Sequence, residues 1–412
     1  MKRFLIITDS YPPEIRSASH LMQELAEGLR DRNYDVIVCT SYPKYNLSDE
    51  LEKTKFPECA VEHGIKVIRV KTLPHHKVNF IIRGIAQLSM PEIFYRKILK
   101  YVGDKIDYVI VYSPPLPLAK VGEKIKKIFG AKYLLNVQDI FPQNAIDLGV
   151  LKNKLLIKFF EKMEYYAYKY ADIVTVHSEG NFDFLFKRYP EFNGKFYILH
   201  NWIDVKSFEG VLRTNEFRKK FGLENKFIIL FAGVIGPSQG LDFVVEVANK
   251  IKDIEEICFL IVGDGIYKEK LKSLVREKKL TNVIFKPFVS RADYPKLVAD
   301  CDVGLVTLSS LNKTPVVPSK MLGYMAARKP VLAFLNRESD GHRIIKIAEC
   351  GYSCFSNDVD EAVEITKKIY FNKDKLENMG NNGYKFVKEN FDRDVILDKI
   401  EELLKKDLKV IF

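Results

Sequence analysis

Residues 227–242 read FIILFAGVIGPSQGLD, an apolar run that ends in a glycine-rich turn. The apolar run predicts a buried strand, and the residues from 241 onward have the spacing of a helix. Glycines in such a turn let the backbone approach a bound group, and free N–H groups at a helix start favour a phosphate. The same turn can also join a strand to a helix without binding anything, and the sequence leaves both interpretations open.

This strand–turn–helix pattern recurs along the chain, in one series before residue 204 and a second that starts at residue 227. Continuous apolar runs favour parallel strands that are buried on both faces, and their alternation with helices predicts doubly wound α/β sheets. The predicted strands cover residues 4–8, 36–39, 108–112, 132–137, 173–176 and 196–199, then 227–231, 258–262, 283–285, 303–306 and 331–334.

The chain has 412 residues, a length that suits two domains better than one core. A polar stretch, residues 204–223, separates the two series of strands. We therefore predict one Rossmann-like domain over residues 1–205 and a second over residues 206–392. The carboxyl ends of two such sheets are expected to face a central cleft that binds the ligands.

The composition is that of a globular protein with a positive net charge of +11. Residues 1–200 hold 30 basic and 23 acidic side chains, so most of the surplus lies in the first half. A positive surface attracts phosphates of any kind, including nucleotides, anionic lipids and nucleic acid. The six cysteines form no CxxC pair, and the first residues lack the apolar run of an export signal. These features favour a cytoplasmic protein with reduced thiols.

Several enzyme classes are disfavoured by missing motifs. The first strand is not followed by G-x-G-x-x-G, and the sequence contains no P-loop, HExxH or GxSxG. No DxD pair ends a predicted strand, and the pair His75–His76 beside Lys77 is expected to be exposed and not metal-bound. We therefore expect neither a metal ion nor a cofactor.

Two further segments of the second half carry polar or charged groups. Gly263, Asp264 and Gly265 follow a predicted strand, as an ordinary turn or as a close approach to a base or ribose. Residues 317–327 begin a helix with Pro318 and Ser319, and Lys320 lies in its first turn. A cation at the positive end of a helix is unfavourable unless an anion lies between them, which indicates phosphate binding.

In the first half, Gln138 and Asp139 follow the strand over residues 132–137. Asp139 can accept a proton, bind a sugar hydroxyl or cap the next turn, and the sequence does not choose among these roles. Residues 200–204 contain the only tryptophan, Trp202, which favours a packed hinge.

Taken in order, these segments resemble the retaining glycosyltransferases of family 4, which have the GT-B fold. The resemblance is strongest to bacterial polysaccharide enzymes of the colanic-acid and O-antigen type, and it covers nearly the whole chain. The motifs that carry it are YPPE at 11–14, DIFP at 139–142, NWID at 201–204, GVIGPSQGL at 233–241 and PSKMLGYMAA at 318–327.

The resemblance implies a transferase that moves a hexose or N-acetylaminosugar from a nucleotide-sugar, usually UDP-linked, to a saccharide acceptor that is often lipid-linked. It implies a retaining reaction in surface polysaccharide synthesis, such as that of capsule or O-antigen. It places the donor in the second domain and the acceptor in the first, with residues 393–412 packing back on the first. The implied donor-binding residues are Gly233, Gly236, Gln239, Gly240, Gly263, Asp264, Gly265, Val289, Pro318, Ser319 and Lys320. The implied acceptor-binding residues are Glu14, Ser17, Gln138 and Asp139, with Asp139 and Lys320 as catalytic residues.

The chain departs from the family pattern at the nucleotide site. Pro315 and Gly323 stand where the family has the two glutamates of E-x(7)-E, the second of which binds ribose. Val234 and Gln239 replace an Arg/Lys pair, so Lys320 is the main candidate cation. Two alternatives therefore remain, a UDP-sugar 2-epimerase of the same fold and a non-catalytic subunit that binds a nucleotide-sugar. An epimerase would need a richer set of histidine and carboxylate bases.

Two basic and aromatic stretches, residues 81–101 and 152–170, favour contact between the first domain and the inner face of an anionic membrane. The alternative is that both helices pack their apolar faces on the sheet and expose only lysines. We expect a cytoplasmic protein, peripheral on the membrane in the first case, and no nucleic-acid partner.

Overall fold

The computed structural model describes residues 1–14, 16–44, 47, 54–75, 78–147, 149–313 and 315–406; His76 and Lys77 lie outside these ranges. The chain divides into two compact units, Met1–Asn201 with Arg393–Phe412, and Trp202–Asp392. The first unit ends at Asn201 and not at residue 205, because the backbone amides of residues 203 and 205 donate hydrogen bonds to residues 391 and 392, at the end of the second unit. The Ile203 amide donates to the Phe391 carbonyl at 3.0 Å, and the Val205 amide donates to Asp392 at 3.3 Å.

The first unit contains an eight-stranded sheet with the strand order β3-β4-β2-β1-β5-β6-β7-β8. All neighbours are parallel except β3, which runs antiparallel to β4. Its strands are β1 Arg3–Ile7, β2 Asp35–Ser41, β3 Cys59–Glu62, β4 Ile65–Val70, β5 Tyr108–Ser113, β6 Lys132–Val137, β7 Ile173–Val176 and β8 Phe196–Ile198. Its helices are α1 Ser17–Asp31, α2 Phe80–Tyr101, α3 Ala119–Phe129, α4 Gln143–Asp147, α5 Lys154–Tyr170 and α6 Glu179–Arg188.

The second unit contains a six-stranded parallel sheet with the order β11-β10-β9-β12-β13-β14. Its strands are β9 Phe227–Ala232, β10 Ile257–Val262, β11 Val283–Lys286, β12 Val303–Thr307, β13 Val331–Leu335 and β14 Gly351–Phe355. Its helices are α7 Glu216–Phe221, α8 Leu241–Lys250, α9 Lys268–Glu277, α10 Tyr294–Asp300, α11 Ser319–Ala326, α12 Gly341–Ala348, α13 Val359–Phe371 and α14 Leu376–Asn390.

The last helix, α15 Arg393–Lys405, belongs to the first unit and packs on α1. Arg32, at the end of α1, bridges Asp398 at 2.7 Å and Glu401 at 2.9 Å. The side chain of Leu397 fills the space beside Gly28, where a Cβ atom would lie 2.4 Å from it. The ion pairs of Arg32 and the contact of Leu397 with Gly28 therefore hold this helix against α1.

Burial on both faces explains the continuous apolar runs of the strands. In β9, Ile228 and Leu230 pack into one core cluster and Ile229 and Phe231 into the cluster on the opposite face. The predicted α/β class with doubly wound parallel sheets is thus confirmed. The strands β3, β4 and β14 are not among the predicted ones; β3 and β4 form an outer hairpin, and β14 is an edge strand. Within the described ranges, no helix combines the length and the apolar character needed to cross a bilayer.

Candidate functional site

The glycine-rich loop after β9 is packed directly on the loop after β10. The Gly233 amide donates to the Val262 carbonyl at 2.9 Å, and the Ile235 amide donates to the Asp264 carbonyl at 2.8 Å. A Cβ atom on Gly263 would lie 1.9 Å from the Gly233 oxygen, and one on Gly265 would lie 2.2 Å from the Ile235 oxygen. Both residues have φ of +156°, so this backbone contact requires glycine.

The same loop leads into α8 through a second tight contact. Gly240 has φ of +62°, and a Cβ atom there would lie 2.9 Å from the Ser309 Cα. Gly236 differs, because it has extended φ and nothing lies within 4 Å of its Cβ position. The structure therefore assigns close backbone packing to Gly233, Gly240, Gly263 and Gly265, and leaves open space beside Gly236.

Lys320 brings a cation to this loop from the first turn of α11. Its Cε lies 2.5 Å from the position of a Cβ on Gly233, so a side chain at 233 would displace it. The Nζ donates to Gln239 Oε1 at 2.8 Å and lies 5.1 Å from the centre of the Phe231 ring. Burial lowers the pKa of Lys320 to about 8, because the ammonium loses hydration in this position. An anion bound here would favour the charged form and raise the pKa again.

The amino end of α11 adds backbone donors beside Lys320. Pro318 caps the helix with no side-chain hydrogen bond, and Ser319 is exposed at its first position. The positive end of the helix dipole and the ammonium therefore coincide. This arrangement suits a di-anion such as a diphosphate, for which Lys320 supplies a charge-assisted bond and the turn supplies N–H groups.

Exposed apolar side chains follow three neighbouring strands of the same sheet. Val234 comes after β9, Ile266 after β10 and Phe288 after β11, and all three are exposed. Val289, next to Phe288, is half-buried against the core. The exposed carboxylate of Asp264 accepts the Gly265 amide at 2.8 Å and so closes its own turn. The carboxyl edge of the sheet thus presents exposed apolar side chains after three neighbouring strands, which suits a flat base.

In the first unit, Gln138 and Asp139 lie at the corresponding edge, after β6. Gln138 accepts a bond from Asn201 at 2.7 Å and donates one to Asn136 at 2.6 Å, which ties together the ends of β6 and β8. Asp139 is exposed, and no hydrogen bond of its carboxylate occurs among the residues that the structure describes. It is available to a ligand, whereas Gln138 is half-buried and already paired.

Glu14 lies in the segment between β1 and α1, and Ser17 is the first residue of α1. Glu14 is buried, and its carboxylate accepts bonds from the Ser10 hydroxyl at 3.0 Å and the Lys44 amide at 2.9 Å. Arg16 Nη1 lies 3.9 Å from Glu14. Ser17 is exposed at the start of α1. Glu14 therefore holds the loop together, and Ser17 faces solvent.

A buried ion pair in this loop region is not predicted from the sequence. Asp9, after β1, lies 2.9 Å from His75 Nε2, and the Ser41 hydroxyl donates to the same carboxylate at 2.9 Å. Burial alone would lower the pKa of His75, but the hydrogen bond to Asp9 and its charge raise it above its ordinary value. His75 is buried and not exposed as expected, and it lies far from its pairing partner in the sequence. No periodicity or motif marks such a pair.

Among the described residues, no group of three His, Cys, Asp or Glu side chains is placed to hold a metal ion. All six cysteines are free, and five of them are buried.

Comparison with known proteins gives the family of the second unit. Residues 213–386 match the model of "Glycosyl transferases group 1". The chain is 26% identical over 299 residues to "Probable glycosyltransferase WbjE" of Pseudomonas aeruginosa, covering 70% of this chain and 74% of that protein. It is 24% identical over 334 residues to "Putative colanic acid biosynthesis glycosyl transferase WcaI" of Escherichia coli, covering 79% and 81%.

The fold is similar to that of Anabaena Alr3699/HepE, whose crystal structure contains UDP, with a TM-score of 0.71 and 17% identity over 98% of this chain and 99% of that one. These relatives favour a transferase over the epimerase and the non-catalytic subunit. The chain is a glycosyltransferase of GT-B fold, and its residues 213–386 form a group 1 glycosyl transferase domain.

Proposed function

We propose that this enzyme transfers a hexose or N-acetylaminosugar from a UDP-linked donor to a saccharide acceptor, with retention of configuration, in the synthesis of a surface polysaccharide. The observation that carries the donor assignment is Lys320, a desolvated cation held on a glycine loop at the amino end of α11. The relative from Escherichia coli is named for colanic acid biosynthesis, and the Anabaena protein binds UDP, which supports the polysaccharide and the base.

In this proposal the second unit stabilises the leaving diphosphate. Negative charge builds on that group as the glycosidic bond breaks, so a fixed cation and backbone amides lower the barrier most. Lys320 and the first turn of α11 supply this charge without a divalent ion. Asp139, the exposed carboxylate after β6, then binds an acceptor hydroxyl in the first unit.

Removing the cation tests the donor site. Lys320→Ala should weaken UDP binding ten- to a hundredfold, the range for a charge-assisted contact. Isothermal titration calorimetry measures the change. Lys250→Ala is the matched control, because Lys250 is a lysine of α8 whose Nζ lies 3.8 Å from an exposed carboxylate, Asp360. UDP affinity equal in Lys320→Ala, the control and the wild type would overturn the assignment.

Turnover tests the reaction itself. Purified enzyme, UDP-sugars and saccharide acceptors should release UDP and form a product with the anomeric configuration of the donor. EDTA should change the rate by less than about twofold, because Lys320 takes the place of a metal. Loss of activity in EDTA that magnesium restores would remove the metal-free proposal, and an epimerised UDP-sugar would replace the transferase with an epimerase.

We further propose that the acceptor is lipid-linked and that the first unit contacts an anionic membrane. The beginning of α5 exposes Leu155, Leu156 and Phe159 next to the exposed lysines Lys154 and Lys158. The start of α2 exposes Ile82, Ile85 and Leu88, whereas Phe94 further along is fully buried. Apolar side chains among lysines suit insertion into an anionic lipid surface.

Vesicle co-sedimentation tests this surface. Wild-type protein should pellet with vesicles that contain phosphatidylglycerol at low salt, and much less with neutral vesicles or at high salt. Leu155→Glu with Phe159→Glu should abolish pelleting. Phe371→Glu is the control, because Phe371 is equally exposed but belongs to the second unit. Equal recovery of all forms in the supernatant would mean a soluble acceptor.

A further inference from the structure

Tyr294 places a hydroxyl on the face of α11 that carries Lys320. Its Oη lies 2.8 Å from the position of a Cβ on Gly323, so the absence of a side chain at 323 makes the room that the phenol occupies. Gly323 follows Lys320 by three positions and Ser319 by four, and residues at these spacings share one helix face. Because Cα–Cβ bonds tilt toward the amino end of a helix, this position lies on the Lys320 side of Gly323.

The ring of Tyr294 is held by packing, whereas its hydroxyl has no hydrogen-bond partner among the described residues. The ring packs edge-on against Phe208, with centroids 6.1 Å apart, and the Tyr294 amide donates to the Ser290 carbonyl at 3.0 Å. Across the described residues, the Tyr294 hydroxyl makes no hydrogen bond, and it is not among the buried side-chain atoms without a partner, so it is open to solvent. The neighbouring Tyr324 differs, because its hydroxyl accepts the Ala232 amide at 3.1 Å and has a structural partner.

A phenol at the edge of a core usually directs its hydroxyl to a hydrogen-bond partner, and the Tyr294 hydroxyl is left to solvent or to a ligand. Burial raises the pKa of Tyr294, so the group stays a neutral O–H that donates one bond and accepts others. Such a group does not prefer phosphate, which Lys320 already faces. It matches a hydroxyl of a sugar ring bonded to that phosphate, about one helical turn farther along α11.

We propose that the Tyr294 hydroxyl is a donor-binding group that contacts a hydroxyl of a sugar ring attached to the diphosphate. This inference rests on the proposed function, because it places the diphosphate at Lys320. The ring is either the ribose of the nucleoside or the sugar to be transferred, and both offer the same vicinal hydroxyl chemistry. Tyr294 would therefore set the preference for donors that carry this hydroxyl.

The test removes only the hydroxyl. Tyr294→Phe should weaken UDP-glucose binding roughly three- to tenfold, the range for one neutral hydrogen bond, with a melting temperature close to that of the wild type. Tyr370→Phe is the matched control. Tyr370 packs on Phe227, at the opposite end of the sheet, and should bind UDP-glucose as the wild type does.

Three ligands identify the contact by calorimetry. If the partner is the ribose, Tyr294→Phe loses the same factor for UDP as for UDP-glucose. In that case 2′-deoxy-UDP binds wild type and variant alike when the contact is to the 2′-hydroxyl, and shows the same loss as UDP when it is to the 3′-hydroxyl. If the partner is the transferred sugar, the loss appears with UDP-glucose and not with UDP. Unchanged affinity for all three ligands in Tyr294→Phe, while Lys320→Ala still weakens UDP, would overturn this inference alone. No UDP binding by the wild type would overturn the proposed function and this inference together.

Discussion

The carboxyl edges of the two sheets are built from different chemistry. In the first unit, buried carboxylates are held by polar partners: Asp9 pairs with His75, and Glu14 accepts hydrogen bonds from a hydroxyl and a backbone amide. In the second unit, glycine backbone packs on glycine backbone, and Lys320 is held over it. The carboxyl edge of the first sheet (the first edge) is made rigid by charged side chains. The carboxyl edge of the second sheet (the second edge) is made rigid by backbone that packs closely because glycines have no side chains.

This difference fits the ligands that we propose for each edge. A diphosphate needs backbone donors and a cation at close range, which requires that no Cβ intervene. An acceptor saccharide needs directed oxygens on a fixed scaffold, which a network of paired polar groups provides. Changes at the second edge should therefore act on UDP affinity, and changes at the first should act on stability and acceptor use.

The largest effect is expected where a side chain enters the glycine contact. Gly263→Ala puts a Cβ 1.9 Å from the Gly233 oxygen at a φ of +156°, so the two loops must separate. We expect the free energy of unfolding to fall by about 2 kcal/mol or more and UDP affinity to fall at least about tenfold. Urea unfolding and calorimetry measure the two quantities.

Gly236→Ala is the control for this change, because open space surrounds its Cβ position and its φ is extended. It should alter the free energy of unfolding by less than about 0.5 kcal/mol. Equal destabilisation by both variants would show that the glycine contact is not what holds the second edge together.

The corresponding change at the first edge removes the charge of the buried pair. Asp9→Asn should lower the free energy of unfolding by about 1–3 kcal/mol and leave UDP affinity unchanged. Asp31→Asn is the control, because Asp31 is exposed and, within the part of the chain that the structure describes, pairs with its neighbour Arg30 alone. A change in UDP affinity in Asp9→Asn would contradict the assignment of UDP binding to the second edge alone.

The effect of Asp9→Asn should also depend on pH. The pKa of His75 is raised in the folded protein, so the stabilising charge is fully present below about 6.5, its value in the unfolded chain, and is lost as pH rises through the folded pKa. The difference in unfolding free energy between wild type and Asp9→Asn should therefore be larger at pH 6 than at pH 8.5. A difference that grows with pH would contradict the ion pair.

A smaller effect is expected from titration of Lys320. Burial lowers its pKa to about 8, so in the unliganded protein most molecules lose the charge above that pH. UDP binding should weaken about tenfold between pH 7 and pH 9 and should take up a proton in that window. Calorimetry in buffers of different ionisation enthalpy measures this uptake. Lys320→Ala should show neither the uptake nor the pH dependence, and a pH-independent wild type would contradict the placement of the cation.

The lowered pKa of Lys320 makes folding stability depend on pH in the opposite direction from UDP binding. Between pH 8 and about 10.5 the unfolded chain holds a proton on this lysine that the folded protein has lost. Its contribution to the free energy of unfolding therefore rises with pH across this window.

The sequence predicts the second edge better than the first. The glycine loop and Lys320 are encoded locally, because a strand, a turn and a helix start each leave a signal within a few residues. The pair Asp9–His75 and the contact of Tyr294 with Gly323 join elements that are distant in the chain. Gly323 suggests a lost function when only its own position is considered. The phenol of Tyr294, from α10, occupies the space beside Gly323. This contact depends on the packing of distant elements, which no local sequence pattern encodes.

The smallest effect should come from Asp264, which the sequence marks as a donor-binding residue. The Oδ1 of this exposed side chain accepts the Gly265 amide at 2.8 Å, and its Oδ2 lies 3.7 Å from the Lys268 ammonium. Asp264→Asn keeps an oxygen for the Gly265 amide and removes a negative charge from the carboxyl edge of the second sheet. UDP affinity should rise by no more than about twofold at low salt, and this gain should vanish at high salt because exposed charges are screened. Calorimetry at two salt concentrations measures the change, with Asp253→Asn as an exposed aspartate of the same unit for comparison. A loss of tenfold or more in Asp264→Asn would mean that the carboxylate binds the nucleotide directly, and the second edge would then use side-chain charge in the same way as the first.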